Sequence, residues 1–393
     1  MDSVLSRLAS RNQGRLFDAL SLENSIIDAA DYCDSTLITL DELSLSADTS
    51  ASEVVEVVET QTGLDKLLCH FTDIYKDEGL TLDSAKQLQV SVESYLRTNG
   101  IDISYRAILP SFESSEQYSA ELKDTRVDNR NRIVQWLVKA LQAVLDTIRR
   151  WWTGVVGSKE AMSKYIDTVS AKVTSLQGSP TNTAPVKLGS SVSYVTARTG
   201  VIAKPDRQIT ETDDHFSSFL IEWGNLFDKE SHILKNVTDL KAVKIEFVVG
   251  RFLEVTPGSG IGKFSGAKTR VTTGVRPAKN EGPVLTISEM EHGLSVAKAA
   301  LASFSKIEKE IARMDKQAKA CSAEATEMSK KYTDSAAGKT FSDNARALAK
   351  AFQLCSNGLT TAAPHYLKSI RANVGYIALS TRHYDTAQKE NKS

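Results

Sequence analysis

Cysteine is scarce. Cys33, Cys69, Cys321 and Cys355 are far apart and form no CxxC pair. This excludes a disulfide framework and a Cys-rich zinc module, and reads as reduced, buried thiols in a cytosolic product. The six histidines include no HxxxH pair and no His–Cys cluster with ligand spacing, so no metal site is expected. There is no GxSxG elbow, and no Cys/His pair in a recognisable nucleophile context. No catalytic residue, cofactor or enzymatic activity is therefore expected. No uninterrupted apolar run approaches the roughly 18–20 residues that span a bilayer. The opening residues, Met1 to Arg7, carry no basic region followed by a long apolar core, so no secretory signal is expected.

What remains is an ordinary soluble composition, 41% hydrophobic and 25% charged, in a chain of 393 residues that should divide into two or three domains. The average conceals a charge split. Residues 1–125 hold 9 Lys and Arg against 23 Asp and Glu, a net of −14. Residues 126–393 hold 39 against 26, a net of +13. Such a division fits an acidic segment that acts on, or is removed from, a basic body; it also fits two halves that attract each other within one fold.

Most of the chain reads as helix. Leu5, Leu8, Leu16, Leu20, Ile26, Ile27 and Ala30 give a broken helical spacing, and Leu64, Leu67, Leu68, Phe71, Ile74 and Tyr75 a cleaner one. Thr81 and Asn99-Gly100 read as the start and stop of a further helix. Residues 44–59, rich in Ser, Ala, Thr and acid, read as a linker or weak helix. Across 126–156, Ile133, Leu137, Leu141, Val144, Ile148, Trp151 and Val155 recur every three to four residues, with Trp136 and Trp152 widening the stripe. Residues 178–189 read as a joint. Ser288 is the expected cap of a long helix in which Ile307, Ile311, Met314, Ala318, Cys321, Ala325, Met328 and Tyr332 hold coiled-coil spacing. Two further helices are expected near Phe341–Cys355 and Tyr366–Gln388, the second opened by Pro364. The helical period breaks once. Val243, Ile245, Phe247 and Val249 alternate with Lys244, Glu246 and Val248, and 268–275 alternates again. The fold class expected is mainly α, bundle-like, with a small β-hairpin or β insertion near 240–287.

The loop Pro257-Gly-Ser-Gly-Ile-Gly-Lys263-Phe264 lines up with the phosphate-binding pattern GxxxxGK[ST] and misses twice. Pro257 stands at the first Gly and Phe264 at the magnesium-binding Ser/Thr. No helix is expected behind it to meet a phosphate, so it reads as a hairpin connection. Residues 241–279 carry eight basic residues against Glu246 and Glu254. Lys263, Lys268, Arg270 and Arg276 are the candidate contacts to a nucleic-acid backbone, read without sequence preference. The alternative is a solvated hairpin, or one docked on acidic helices. The helix bearing Trp136, Trp151 and Trp152 has three readings: a core helix, a membrane-surface helix with cations beside its aromatics, or a partner-binding helix.

The order of parts is familiar. An acidic helical leader ends in Ile108-Leu-Pro-Ser-Phe-Glu113-Ser-Ser-Glu116. The Trp-bearing helix 133–152 follows, and then a basic, mostly helical body. Over residues 1–175 this layout resembles the internal head (prohead core or inner-body) proteins of large tailed bacteriophages. The resemblance implies a non-enzymatic virion protein packed inside the capsid with DNA, and partnership with other head proteins. It implies trimming by the phage head-maturation protease after a Glu preceded two residues earlier by a small residue. It also implies a place in the virion interior, in the host cytoplasm during assembly, and in the host after injection. Glu113, Glu116 and Glu121 match the cleavage pattern where the charge changes sign, as does Glu53 earlier; Glu324 matches within an expected helix. The domains expected are an acidic helical leader, 1–125, as a candidate propeptide; a Trp-rich amphipathic region, 126–177; and a basic, mostly helical body, 190–393, with its β insertion at 240–287. Two other readings stand beside this one: a membrane-surface or membrane-perturbing effector that uses helix 126–156, although a membrane partner is not the reading favoured, and a cytosolic helical scaffold.

Overall fold

The structure, a computed structural model, describes residues 26–40, 42, 90–91, 94, 115–177, 183–228, 239–274, 279–331 and 335–390. Side chains are described throughout these except at 115–136, 139, 328–342 and 385–390. The helix expected around 64–75 and the linker at 44–59 lie outside the described residues; of the helix expected over 81–98, residues 90–91 and 94 are described, and they are helical.

Helix α1 spans Ser115–Ser175, roughly 90 Å of helix at 1.5 Å per residue. Leu137, Leu141, Val144, Ile148, Trp151, Val155, Ser158, Met162, Tyr165 and Val169 follow one another at alternating steps of four and three, and none is more than 2% exposed. This period near 3.5 keeps one seam against its neighbours from Leu137 to Val169. Strand β1 (Val186–Lys187), helix α2 (Pro205–Asp228), strands β2 (Val243–Val248), β3 (Arg251–Thr256), β4 (Lys268–Thr273) and β5 (Glu281–Gly282), and helices α3 (Ile287–Ala302), α4 (Ser305–Lys331) and α5 (Ser335–Glu390) follow. Helix α5 is the central element. It packs on α1, α2 and α3 and meets β2, and Leu348, Ala362, Tyr366, Leu367, Ile370, Val374 and Ile377 along it are fully buried.

The architecture is mainly α with a small antiparallel sheet, as the periodicities require. The sheet has the order β2-β3-β4. The two-residue turn Val249-Gly250 joins β2 to β3, with Gly250 at φ 70°; strand β3 itself was not expected from the sequence. The inner face presents Ile245, Phe247, Leu253 and Val255 to the core, where Phe247 meets Phe219 of α2 at 5.8 Å and His365 of α5 at 5.7 Å.

Several expectations are corrected. Pro364 does not open a helix: α5 runs straight through it. An internal proline costs roughly 3 kcal/mol, but each large side chain fully buried beside it, such as Leu367 and Ile370, contributes about 1.5–3 kcal/mol. Burial wins, and 341–355 and 366–388 are one helix. The cap of α3 is Thr286, not Ser288. Both residues have a Glu three positions on, and the box closes on the Thr286–Glu289 pair, with Glu289 N donating to Thr286 Oγ1 at 3.3 Å and Thr286 N to Glu289 Oε2 at 2.8 Å. The expected long helix breaks at Ser303-Phe304, where Phe304 is buried and Ser303 Oγ donates to Asp213 of α2 at 3.1 Å. Within α4, Ile307, Ile311, Met314, Ala318, Cys321 and Ala325 are all buried, as their spacing implies. The joint at 178–189 ends in order: Val186 and Lys187 pair with Gly282 and Glu281. The expected boundary between 125 and 126 lies within the span of α1, and one hydrophobic cluster joins described residues from Ile26 to Tyr384.

Candidate functional site

The glycine loop is closed on itself. Gly258 N donates to Lys263 O, Ser259 N to Ser265 O, Lys263 N to Gly260 O and Ser265 N to Ser259 O, and Leu240 N donates to Gly262 O from outside the loop. A Cβ on Gly258 would lie 1.8 Å from Ser265 O, so only glycine fits there. The amides of Gly258, Ser259, Lys263 and Ser265 are thus consumed within the loop, and Phe264, at the position of the missing hydroxyl, is 1% exposed. The loop is a hairpin connection, as expected, and the strands it joins are β3 and β4.

The basic residues of this region divide by environment. Arg251 points inward. Its guanidinium lies 3.6 Å from the Tyr194 ring centroid and donates to Ser193 O at 3.2 Å and Ser193 Oγ at 2.9 Å; burial pulls its pKa below the ordinary value. Tyr194 Oη and His365 Nδ1 are 2.6 Å apart, so Arg251, Tyr194 and His365 pin the sheet to α5. Lys244 pairs with Glu254 at 2.6 Å, and Lys263 pairs with Asp239 at 2.9 Å. Hydrogen bonds from Lys244 and then Thr272 hold the Glu254 carboxyl below its usual range, and Arg270, opposite it in register, adds to this. Lys268 and Arg270 are exposed on the outer face of β4. Lys241 and Lys279 are also exposed. Of the four expected contacts, then, Lys268 and Arg270 share one face, Lys263 is turned to an acid, and Arg276 lies outside the described residues.

Helix α1 turns Trp151 and Trp152 toward the body. Trp151 is 1% exposed, and Trp152 is partly buried against the same core; the side chain of Trp136 lies outside the described residues. Arg149 reaches Asp315 of α4 at 2.5 Å. The apolar stripe a membrane would need is therefore already covered, and no described helix is long and apolar enough to cross a bilayer. No group of three or more metal-ligating side chains occurs among the described residues.

The cleavage candidates separate. Glu116 and Glu121 lie in the first two turns of α1; the extended chain expected after Pro110 therefore does not reach Glu116, while Glu121 is itself expected at the start of the next helix. Helix formation from Ser115 places their backbone in a form a protease cleft does not accept. Glu113 lies outside the described residues.

One site was missed in the sequence. Residues 26–40 of the acidic leader form a helix docked on α1 and α5. Ile26, Cys33, Leu37 and Leu40 are buried at 7, 0, 4 and 0% exposure. Cys33 Sγ lies 3.9 Å from Met162 Sδ, and Ser158 Oγ donates to Thr36 O at 3.2 Å. Arg371 of α5 clasps Asp34 with two bonds of 2.9 Å and gives a third, at 3.2 Å, to Tyr165 Oη, whose ring centroid lies 4.4 Å from the guanidinium. The spacing 26-33-37-40 was the available signal. The partner Arg371, 337 positions from Asp34, had none. No protein-family model, curated protein or solved structure matches this chain.

Proposed function

We propose that this is a non-enzymatic virion protein of a tailed bacteriophage, packed in the head with DNA, whose acidic leader covers a basic body until proteolysis. The observation that carries the reading is the charge split, −14 against +13, joined to a leader helix that docks on the body through an acid–arginine clasp. Lys268 and Arg270 on the outer sheet face are the contacts that support weak, sequence-independent association with phosphates. The closure of the glycine loop supports a role without nucleotide chemistry.

Glu113 is the preferred cleavage position, since the other two are helical. The test is N-terminal mapping and intact mass of the protein from particles of its natural source. A new N-terminus at Ser114 supports the reading. A full-length chain in mature particles, or a protein that never enters particles, rejects it. The membrane-surface alternative requires α1 to unpack from its own core, and vesicle binding by the intact protein would favour it.

A further inference from the structure

If residues 1–125 are a removable leader, as proposed above, cutting the chain and losing the leader are different events. The leader segment 26–40 is held by contacts that do not pass through the cleavage region. Its buried face, Ile26, Cys33, Leu37 and Leu40, sits on α1 and α5, and its Asp34 is gripped by Arg371. A helix of this length is marginal alone in water, so its helicity depends on the groove. Arg371 is arranged in advance for the carboxylate. Its side chain is 17% exposed, and the Tyr165 hydroxyl and ring already fix its orientation. A planar guanidinium that gives two parallel bonds is the stronger form of this pairing.

We infer that the surface of α1 and α5 around Met162, Tyr165 and Arg371 is a binding groove for the acidic helix 26–40, and that it retains this helix as a separate chain after the backbone is cut. Proteolysis then yields a nicked two-chain complex, and the basic body is freed only when the helix leaves the groove.

The full-length protein tests this, with a site-specific protease sequence in place of residues 108–114. After complete cleavage, leader and body should elute together from a sizing column at micromolar concentration. Asp34→Ala removes a carboxylate whose side chain is 52% exposed, so the fold should survive. It should raise the dissociation constant by about tenfold, the equivalent of a charge-assisted hydrogen bond of ~1.5 kcal/mol. Cys33→Glu with Leu37→Glu should separate the two chains, and circular dichroism of the uncut variant reports whether the body stays folded. Separation of the unmutated chains after cleavage overturns the inference. So does co-elution that survives the double substitution. The readout uses neither DNA nor the natural protease, so a leader left uncut in particles would sink the proposed function and leave this result standing.

Discussion

Replacing Gly358 by Ala should destabilise the protein, against the usual preference of helices. An Ala for Gly inside a helix ordinarily contributes about 1 kcal/mol. In α5, however, a Cβ at 358 would lie 2.1 Å from Trp223 Cε2, 2.2 Å from Cζ2 and 2.4 Å from Nε1. Carbon contacts settle near 3.5–4.0 Å, so a rigid indole would have to move by roughly 1.5 Å. It has nowhere to go. Trp223 is 1% exposed, stacked on Phe219 at 5.5 Å and met edge-on by Phe227 at 5.3 Å. Overpacking of this kind costs about 1–3 kcal/mol. The shift also strains the bond from Trp223 Nε1 to Cys355 O, now 3.1 Å, and an orphaned buried donor costs a further 1–3 kcal/mol or so. The net expectation is a loss of about 2–4 kcal/mol. Gly157→Ala supplies the control: it is also helical, and nothing lies within 4 Å of its Cβ, so a gain of about 0.5–1 kcal/mol is expected. Urea unfolding of the two variants, followed by circular dichroism and tryptophan fluorescence, should move the midpoint in opposite directions. A Gly358→Ala protein as stable as the Gly157→Ala protein would refute the reasoning.

Three further outcomes are expected. Lys268→Ala with Arg270→Ala should weaken DNA binding and flatten its salt dependence; the two phosphate contacts they supply imply a loss of about 12-fold between 50 and 200 mM salt, and filter binding that is insensitive to salt would count against any phosphate contact. Lys263→Ala should change little in the same assay, because Lys263 is turned to Asp239; a loss equal to that of the double variant would show that the pairing is not kept in solution. Hydrogen bonds from Lys204 and then the Thr286 amide hold the Glu289 carboxyl below its ordinary value of 4.5. The unfolded chain therefore takes up this proton first, so the contribution is present above that value and is lost as pH falls through the lower folded one. Glu289→Gln keeps an acceptor for the capping box but should lose this contribution above the ordinary carboxyl pKa, so that its profile falls less steeply in acid than the wild type's, while Thr286→Ala should cost about 1 kcal/mol at neutral pH; equal profiles for wild type and Glu289→Gln would rule out the Lys204 pairing.

Helix and strand were legible in this chain because local spacing decides them. The run from Leu137 to Val155 can bury one face only as a helix, and Val243, Ile245 and Phe247 only as a strand. The glycine loop was legible by its mismatches, since a phosphate cradle without the terminal hydroxyl or the following helix lacks the parts that hold its ligand. The charge split is a property of composition and needs no fold. What the sequence left undecided are contests between local rules and distant packing. Thr286 and Ser288 offer the same box, and the fold uses one. Pro364 signals a start, but burial on both sides carries the helix through it. Ser303-Phe304 looks helical until Asp213 and the core hold it as a turn. The eight basic residues of 241–279 look equivalent in a row; three-dimensional neighbours bury Arg251 against Tyr194, pair Lys244 and Lys263, and leave Lys268 and Arg270 facing out. The clasp of Asp34 by Arg371 was the least legible of all. A salt bridge is a short-range interaction, and only the folded chain brings together two side chains that the sequence holds so far apart.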